Sequence, residues 1–346
     1  MSQERFGKLP SGERLEKIRQ SPNYRDGAFQ NISPTPDLTE GATYWTVGKK
    51  FFFGKDKRSE PLDLIPSMKT DLFSLDPSQD ILVWFGHSSY FMQIDGKKIL
   101  VDPVLCGHAS PFSFSTKAFR GTEQYTVEDI PEIDFLFISH DHYDHLDHKT
   151  IKQLKPKIKQ IVCGLGTAEH LEYWGYDPGI IIEKDWNERF ELGDFVVNTV
   201  PARHFSGRLF KRNQSLWMSY VLKTKNLNIF IGGDSGYDTH FAEIGDEFGP
   251  FDLVMLENGQ YDDSWNLIHL MPDQFLQAVQ DLKANRVFPV HGSKFALANH
   301  AWDDPLVRIT ELNKKLQIPL ITPLIGEPVY LNDNKQQFKS WWEGIK

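Results

Sequence analysis

The chain of 346 residues contains only two cysteines, Cys106 and Cys163, so it can form at most one disulfide and has no cysteine-built zinc module. It has no apolar run of about 18 residues, which excludes a membrane-spanning helix. Its first twenty residues are polar and charged and lack the apolar stretch of a signal peptide, so a cytoplasmic setting is the expectation. Internal repeats and low-complexity segments are absent too. Positive charge is in deficit: 38 Lys+Arg stand against 47 Asp+Glu, a formal net charge of −9. That balance speaks against a polynucleotide partner. What remains is a globular composition, 40% hydrophobic and 25% charged, with twelve histidines. Histidine is the excess that calls for a chemical explanation.

Residues 1–60 read as an N-terminal accessory arm and 61–346 as one main domain. A short helix is expected over Gly12–Gln20, and Pro34 and Pro36 favour extended backbone. The stretch Tyr44–Val47 with Phe51–Phe53 is unusually aromatic; it can pack onto the main domain, wall a substrate site or touch a membrane interface. Strands are expected at Ile81–Phe85, Tyr90–Ile94 and Lys98–Val101, the last two joined by an Asp95-Gly96 turn. Others are expected at Phe135–Ser139, Gln160–Cys163, Phe195–Val200, Leu216–Leu222, Asn228–Ile231, Leu253–Leu256 and Val287–Val290. Helices are expected over Thr239–Phe248, Pro272–Leu282 and Pro305–Leu316. Hairpins first and strand–helix alternation later suggest two mixed sheets packed together with helices outside.

Directly after the apolar strand at 135–139 comes His140-Asp141-His142-Tyr143-Asp144-His145. So many polar groups are costly in a core, which places them in a loop at a strand end. Imidazole and carboxylate suit zinc and similar cations. Four donors from one short loop splay apart around a single ion, so two ions are expected, one served by His140 and His142, the other by Asp144 and His145. Distal donors are available at other strand ends: His204, Asp234 within Gly232–Gly236, and His291 before Gly292. Arg203 and Lys294 lie beside them as possible phosphate contacts.

These residues resemble the metallo-β-lactamase superfamily, marked by His-x-His-x-Asp-His and a distal His, Asp and His. The chain is more specifically similar to the N-acyl-phosphatidylethanolamine-hydrolysing phospholipase D family and its bacterial relatives, and more distantly to ascorbate-phosphate lactonases. The strings that carry this are Trp84–Tyr90 (WFGHSSY), Leu100–Val104 (LVDPV), Ile138–Asp147 (ISHDHYDHLD), Asp185-Trp186, Gly233–Tyr237 (GDSGY), Glu243–Asp252 (EIGDEFGPFD) and Phe295–Asn299 (FALAN). The resemblance implies an α+β fold, a four-layer αββα sandwich. It implies that His140, His142 and His204 bind a first metal, Asp144, His145 and His291 a second, and that Asp234 bridges them. The ions would be two zinc ions, with iron or manganese as alternatives. It also implies site roles for His269 and Tyr143, and orienting roles for His87 and Asp102.

An aspartate, Asp234, stands where common β-lactamases carry a cysteine ligand, which argues against antibiotic hydrolysis. His142 separates the chain from di-iron electron carriers, which have Glu there. The 57-residue step from Asp234 to His291 (291 − 234) leaves little room for the insertion of RNA-processing relatives. The expected activity is hydrolysis by a metal-bridging hydroxide, with Asp144 accepting its proton, on a phosphodiester of the phospholipase D type. A lactonase or amidase is the alternative, and a non-hydrolytic metal-binding protein the third reading. The expected partner is a small-molecule or lipid substrate, with peripheral membrane contact possible and no nucleic acid.

Overall fold

The computed structural model describes residues 3–208 and 211–346, and of Gln3, Phe51 and Phe52 the backbone alone, so what the two phenylalanine rings pack against lies outside the described residues. The chain begins with α1 (Gly12–Arg19), a small ladder of β1 (Tyr24–Arg25) and β2 (Ala28–Phe29), and α2 (Tyr44–Phe53). Next come β3 (Ile81–Trp84), β4 (Tyr90–Ile94), β5 (Lys97–Val101), β6 (Ile133–Phe137), α3 (His148–Leu154), β7 (Ile158–Gly164), α4 (Ala168–Tyr173) and β8 (Ile181–Lys184). The second half holds β9 (Arg189–Leu192), β10 (Phe195–Val200), β11 (Ser219–Lys223), β12 (Asn228–Ile231), α5 (His240–Phe248) and β13 (Leu253–Glu257). It ends with α6 (Pro272–Asp281), β14 (Val287–Val290), α7 (Asp304–Asn313) and β15 (Pro328–Tyr330).

One sheet has seven strands in the order β15-β3-β4-β5-β6-β7-β8, and the other six in the order β14-β13-β12-β11-β10-β9. Both are mixed, with parallel pairing along β5–β8 and β12–β14. Alternation within β3 shows how the layers form. Leu82 and Trp84 point into a core shared with Phe137, Tyr220 and Phe288, while Ile81 and Val83 point into a second core with Ile151, Leu154 and Leu171 of α3 and α4. Between the sheets, Phe137 meets Tyr220 edge to face at 5.0 Å and Phe135 meets Phe195 at 5.9 Å. The larger core extends to Phe241, Phe275 and Ile309 of α5, α6 and α7. The result is the αββα sandwich. The Asp95-Gly96 turn takes positive φ at both residues, as a two-residue hairpin of matching twist needs.

The expected strand at Leu216–Leu222 starts three residues late, at Ser219. Leu216 N instead donates to Leu165 O, and Met218 N to Ser139 O, so this apolar stretch ties the two sheets together at one rim. Strands β8, β9 and β15 and helices α3 and α4 had no counterpart in the sequence reading. β15 is three residues long, begins with proline and sits at a sheet edge, where a missing N–H costs no ladder bond.

Candidate metal centre

Every candidate donor leaves the C-terminal end of a strand. His140–His145 follow β6, His204 follows β10, Asp234 follows β12 and His291 follows β14. Close approach of these loops dictates the glycines between 232 and 236. A Cβ on Gly233 would lie 2.6 Å from Met218 O and 2.9 Å from Ser139 Cβ, and one on Gly236 would lie 2.0 Å from Leu267 O. Three polar residues at the rim, His87, Asp102 and His291, adopt φ of +55°, +41° and +68°. Such conformations are unfavourable for residues with a Cβ, and neighbours must hold them.

The side chains form two groups. In the first, His142 Nδ1 lies 2.9 Å from His140 Nε2 and 3.3 Å from His204 Nε2. In the second, Asp144 Oδ2 lies 3.4 Å from His291 Nε2 and 3.5 Å from His145 Nε2. Asp234 stands between them: its Oδ2 is 3.0 Å from His291 Nε2, 3.2 Å from His145 Nε2, 3.7 Å from His204 Nε2 and 3.8 Å from His140 Nε2. All seven expected donors therefore meet, and subsets of them lie close enough together to hold a cation.

Hydrogen bonding on the far side of the rings tests whether a metal fits. The Nδ1 of His204 faces the Ile268 carbonyl at 2.9 Å and so carries the proton, which leaves Nε2 a lone pair aimed at the cluster. The Nδ1 of His145 likewise faces Asp102 Oδ2 at 2.8 Å, and its buried Nε2 has no hydrogen-bond partner. Burial, reinforced by neighbouring imidazoles, holds His140 and His204 well below their ordinary pKa, and burial brings His142 down to about 4. Neutral rings are the form that binds metal. His145 and His291 go the other way: burial opposes their charging, yet Asp234 and the Asp144 carboxylate raise both well above the ordinary value. The pocket between two carboxylates demands positive charge, and the donor set fits a divalent cation.

Further residues hold these donors in place. Ser139 N donates to Asp102 Oδ1 at 2.8 Å, fixing the carboxylate that orients His145. Nε2 of the buried His87 donates to Asp144 Oδ2 at 3.0 Å, so His87 steadies a donor. Glu257, at the end of β13, was missed by the sequence reading. Its Oε2 accepts from His269 Nδ1 at 2.7 Å and lies 3.3 Å from His291 Nδ1, while Oε1 accepts from Ser235 N and Leu270 N. The apolar run Leu253–Leu256 ending in Glu257 before Gly259 is the same signal that pointed to His291. Asn31 was missed as well: its Nδ2 donates to His204 O and its Oδ1 accepts from His204 N.

A cavity of about 310 Å³ opens over the cluster, and His142, Asp144, His204, Asp234, His269 and His291 line it. His269 is thus in the cavity, its ring stacked on His291 at 5.2 Å. Tyr143 is not: its hydroxyl donates to Arg208 O, and its ring lines a different cavity. Neither of the expected phosphate contacts, Lys294 and Arg203, lines the cavity. Lys294 is buried and donates to Phe85 O and Val104 O, each at 3.0 Å, tying two loops together. Arg203 donates to Thr35 Oγ1, Tyr237 O and Pro34 O, which anchors the arm. The cavity's cation is instead Arg212, stacked 3.8 Å from the Phe205 ring centre and paired with Asp37. The arm supplies a wall through Asp37, Leu38 and Tyr44. Tyr44 OH donates to the same Asp37 oxygen at 2.7 Å. On α2, Trp45 is 81% and Phe53 87% exposed.

A family model described as a beta-lactamase superfamily domain matches residues 97–292. An uncharacterized protein of Mycobacterium tuberculosis is 35% identical over 327 residues, covering 93% of this chain and 88% of that protein. N-acyl-phosphatidylethanolamine-hydrolyzing phospholipase D 1 of Caenorhabditis elegans is 32% identical over 235 residues, 62% of this chain and 64% of that one. Among solved structures, the metallo hydrolase Igni18 of Ignicoccus hospitalis superposes with a TM-score of 0.57 at 19% identity, covering 73% of this chain and 98% of that one.

Proposed function

The chain belongs to the metallo-β-lactamase superfamily of hydrolases, and from that premise we propose that it cleaves a phosphodiester by water attack at a pair of divalent metal ions, on a phospholipid of the N-acyl-phosphatidylethanolamine class. The observation that carries this reading is the shared Asp234, with one carboxylate oxygen 3.0–3.8 Å from imidazole nitrogens of both donor groups. His140, His142 and His204 would hold one ion, Asp144, His145 and His291 the other, and Asp234 both. Five imidazoles and two carboxylates suit zinc, and also iron or manganese. When bound, such a pair lowers the pKa of water and neutralises charge gathering at the attacked centre.

The chain's own residues supply the rest. Asp144, steadied by His87, takes up the proton of the attacking water. Its carboxyl starts ionised: burial pushes its pKa up, but His145, His291 and His87 hold it well below the usual range. The water oxygen bonds to phosphorus, the bond to the headgroup oxygen breaks, and His269, backed by Glu257, is placed to protonate that leaving oxygen. Arg212 meets the substrate's anionic oxygens, which displace Asp37. The name of the Caenorhabditis elegans relative supports the lipid class, as do Tyr44, which lines the cavity, and the exposed Trp45 and Phe53 of α2. Residues 1–60 then act as an arm that completes the substrate site.

Liposomes of N-acyl-phosphatidylethanolamine test this reading. The metal-loaded protein is expected to release phosphatidate and the N-acylated headgroup alcohol. Arg212→Ala is expected to raise KM for the lipid about tenfold and leave the turnover of a neutral lactone unchanged. Lactone turnover with no phosphodiester cleavage would overturn the substrate class.

A further inference from the structure

A second cavity, of about 460 Å³, shares no lining residue with the first yet is built on the same loop. Tyr143 from the metal loop, with Asp147 and His148 just after it, lines one part, and Arg5, Lys149, Lys152 and Arg208 add positive charge. In a chain of net charge −9, this concentration of cations stands out. Two acidic groups offset part of this charge. Asp147 accepts from Thr150 N at 2.7 Å as the cap of α3, and Glu4 pairs with Lys152 at 2.7 Å.

Arg208 is the buried member of this set. It is 6% exposed, and its guanidinium lies 4.3 Å from the Tyr143 ring centre and 5.1 Å from that of Trp174. Its Nη1 donates to Asp141 O at 2.8 Å and Leu146 O at 2.6 Å, and its Nη2 to Arg5 O at 2.8 Å. No carboxylate is within ion-pair distance of it among the described residues, although Asp141, Asp147 and Asp144 lie near enough to favour its charge, and its Nε has no hydrogen-bond partner among them. A buried charge without a directly paired counter-ion is costly, and a cavity beside it is where one can enter. We propose that this cavity binds a small phosphorylated molecule, its phosphate facing Arg208 and Lys149. A phosphate dianion answers several cations at once, which a single carboxylate does not. Because Arg208 clamps Asp141 and Leu146, the two ends of the loop that carries His142, Asp144 and His145, a ligand held there stiffens the metal loop.

Isothermal titration of the metal-loaded protein with inorganic phosphate tests the site, with Lys149→Glu and His142→Ala as variants and acetate as the carboxylate arm. Lys149 is exposed and outside the metal centre, so its substitution leaves the fold in place. Phosphate binding is expected to survive His142→Ala, to weaken at least tenfold in Lys149→Glu, and to exceed acetate binding by a similar factor. Binding that vanishes in His142→Ala, equals wild type in Lys149→Glu, or is matched by acetate would overturn the proposal.

Discussion

Asn31 and His204 stand 173 residues apart in sequence, yet Asn31 clasps the His204 backbone through both side-chain atoms, at 2.8 and 3.1 Å. Trp217 Nε1 donates to the same Asn31 oxygen. Losing this clasp frees a candidate metal donor without touching its ring. Asn31→Ala is expected to weaken metal retention roughly tenfold or more, read by competition with a chelator. The contrast with the loop at 140–145 shows what a sequence reveals at this scale. Adjacent donors make a legible pattern, whereas Asn31 and Arg212 act across long separations and leave no spacing to read. His240 offers a second test at the same scale. Burial lowers its pKa from the ordinary 6.5 to about 4. Between those values the unfolded chain takes up a proton that the folded protein excludes, so this residue subtracts stability as pH falls from 6.5 towards 4. At 1.36 kcal/mol per pKa unit the loss at pH 5 is about 2 kcal/mol. Urea denaturation at pH 7 and pH 5 should show a shallower decline for His240→Gln by about that amount.

Among the elements, strand ends and the turns after them decide the site. Apolar runs made β4, β10, β12 and β14 legible to the residue, because two-faced burial leaves continuous hydrophobic stretches. The same signal misled at Leu216–Met218, where apolar residues bridge two sheets instead of extending one. Arg203 and Lys294 were misread for a related reason: a cation beside a metal donor can equally serve as an internal tie, and both donate to backbone carbonyls. The turn after β12 makes a sharp prediction. A methyl at Gly236 would meet Leu267 O at 2.0 Å, whereas one at Gly48, inside α2, meets nothing within 4 Å. Gly236→Ala is expected to cost about 1–3 kcal/mol in denaturant unfolding. Gly48→Ala is expected to be neutral or to stabilise by about 0.5–1 kcal/mol.

For the molecule as a whole, the sandwich brings the C-terminal ends of strands from both sheets to one rim, and the arm closes a side of the cavity there. The αββα architecture was legible because hairpins precede strand–helix alternation and because the motif strings occur in family order. The arm's part was not, since its contacts with His204 and Arg212 exist only after folding. Asp234 is proposed to join two donor groups into a dinuclear hydrolytic centre. Elemental mass spectrometry of the purified protein, paired with phosphodiester turnover before and after chelation, tests it most directly. Two divalent ions per chain are expected, with turnover lost on chelation and regained when the metal is returned. Full turnover with one ion per chain, or with none, would contradict it.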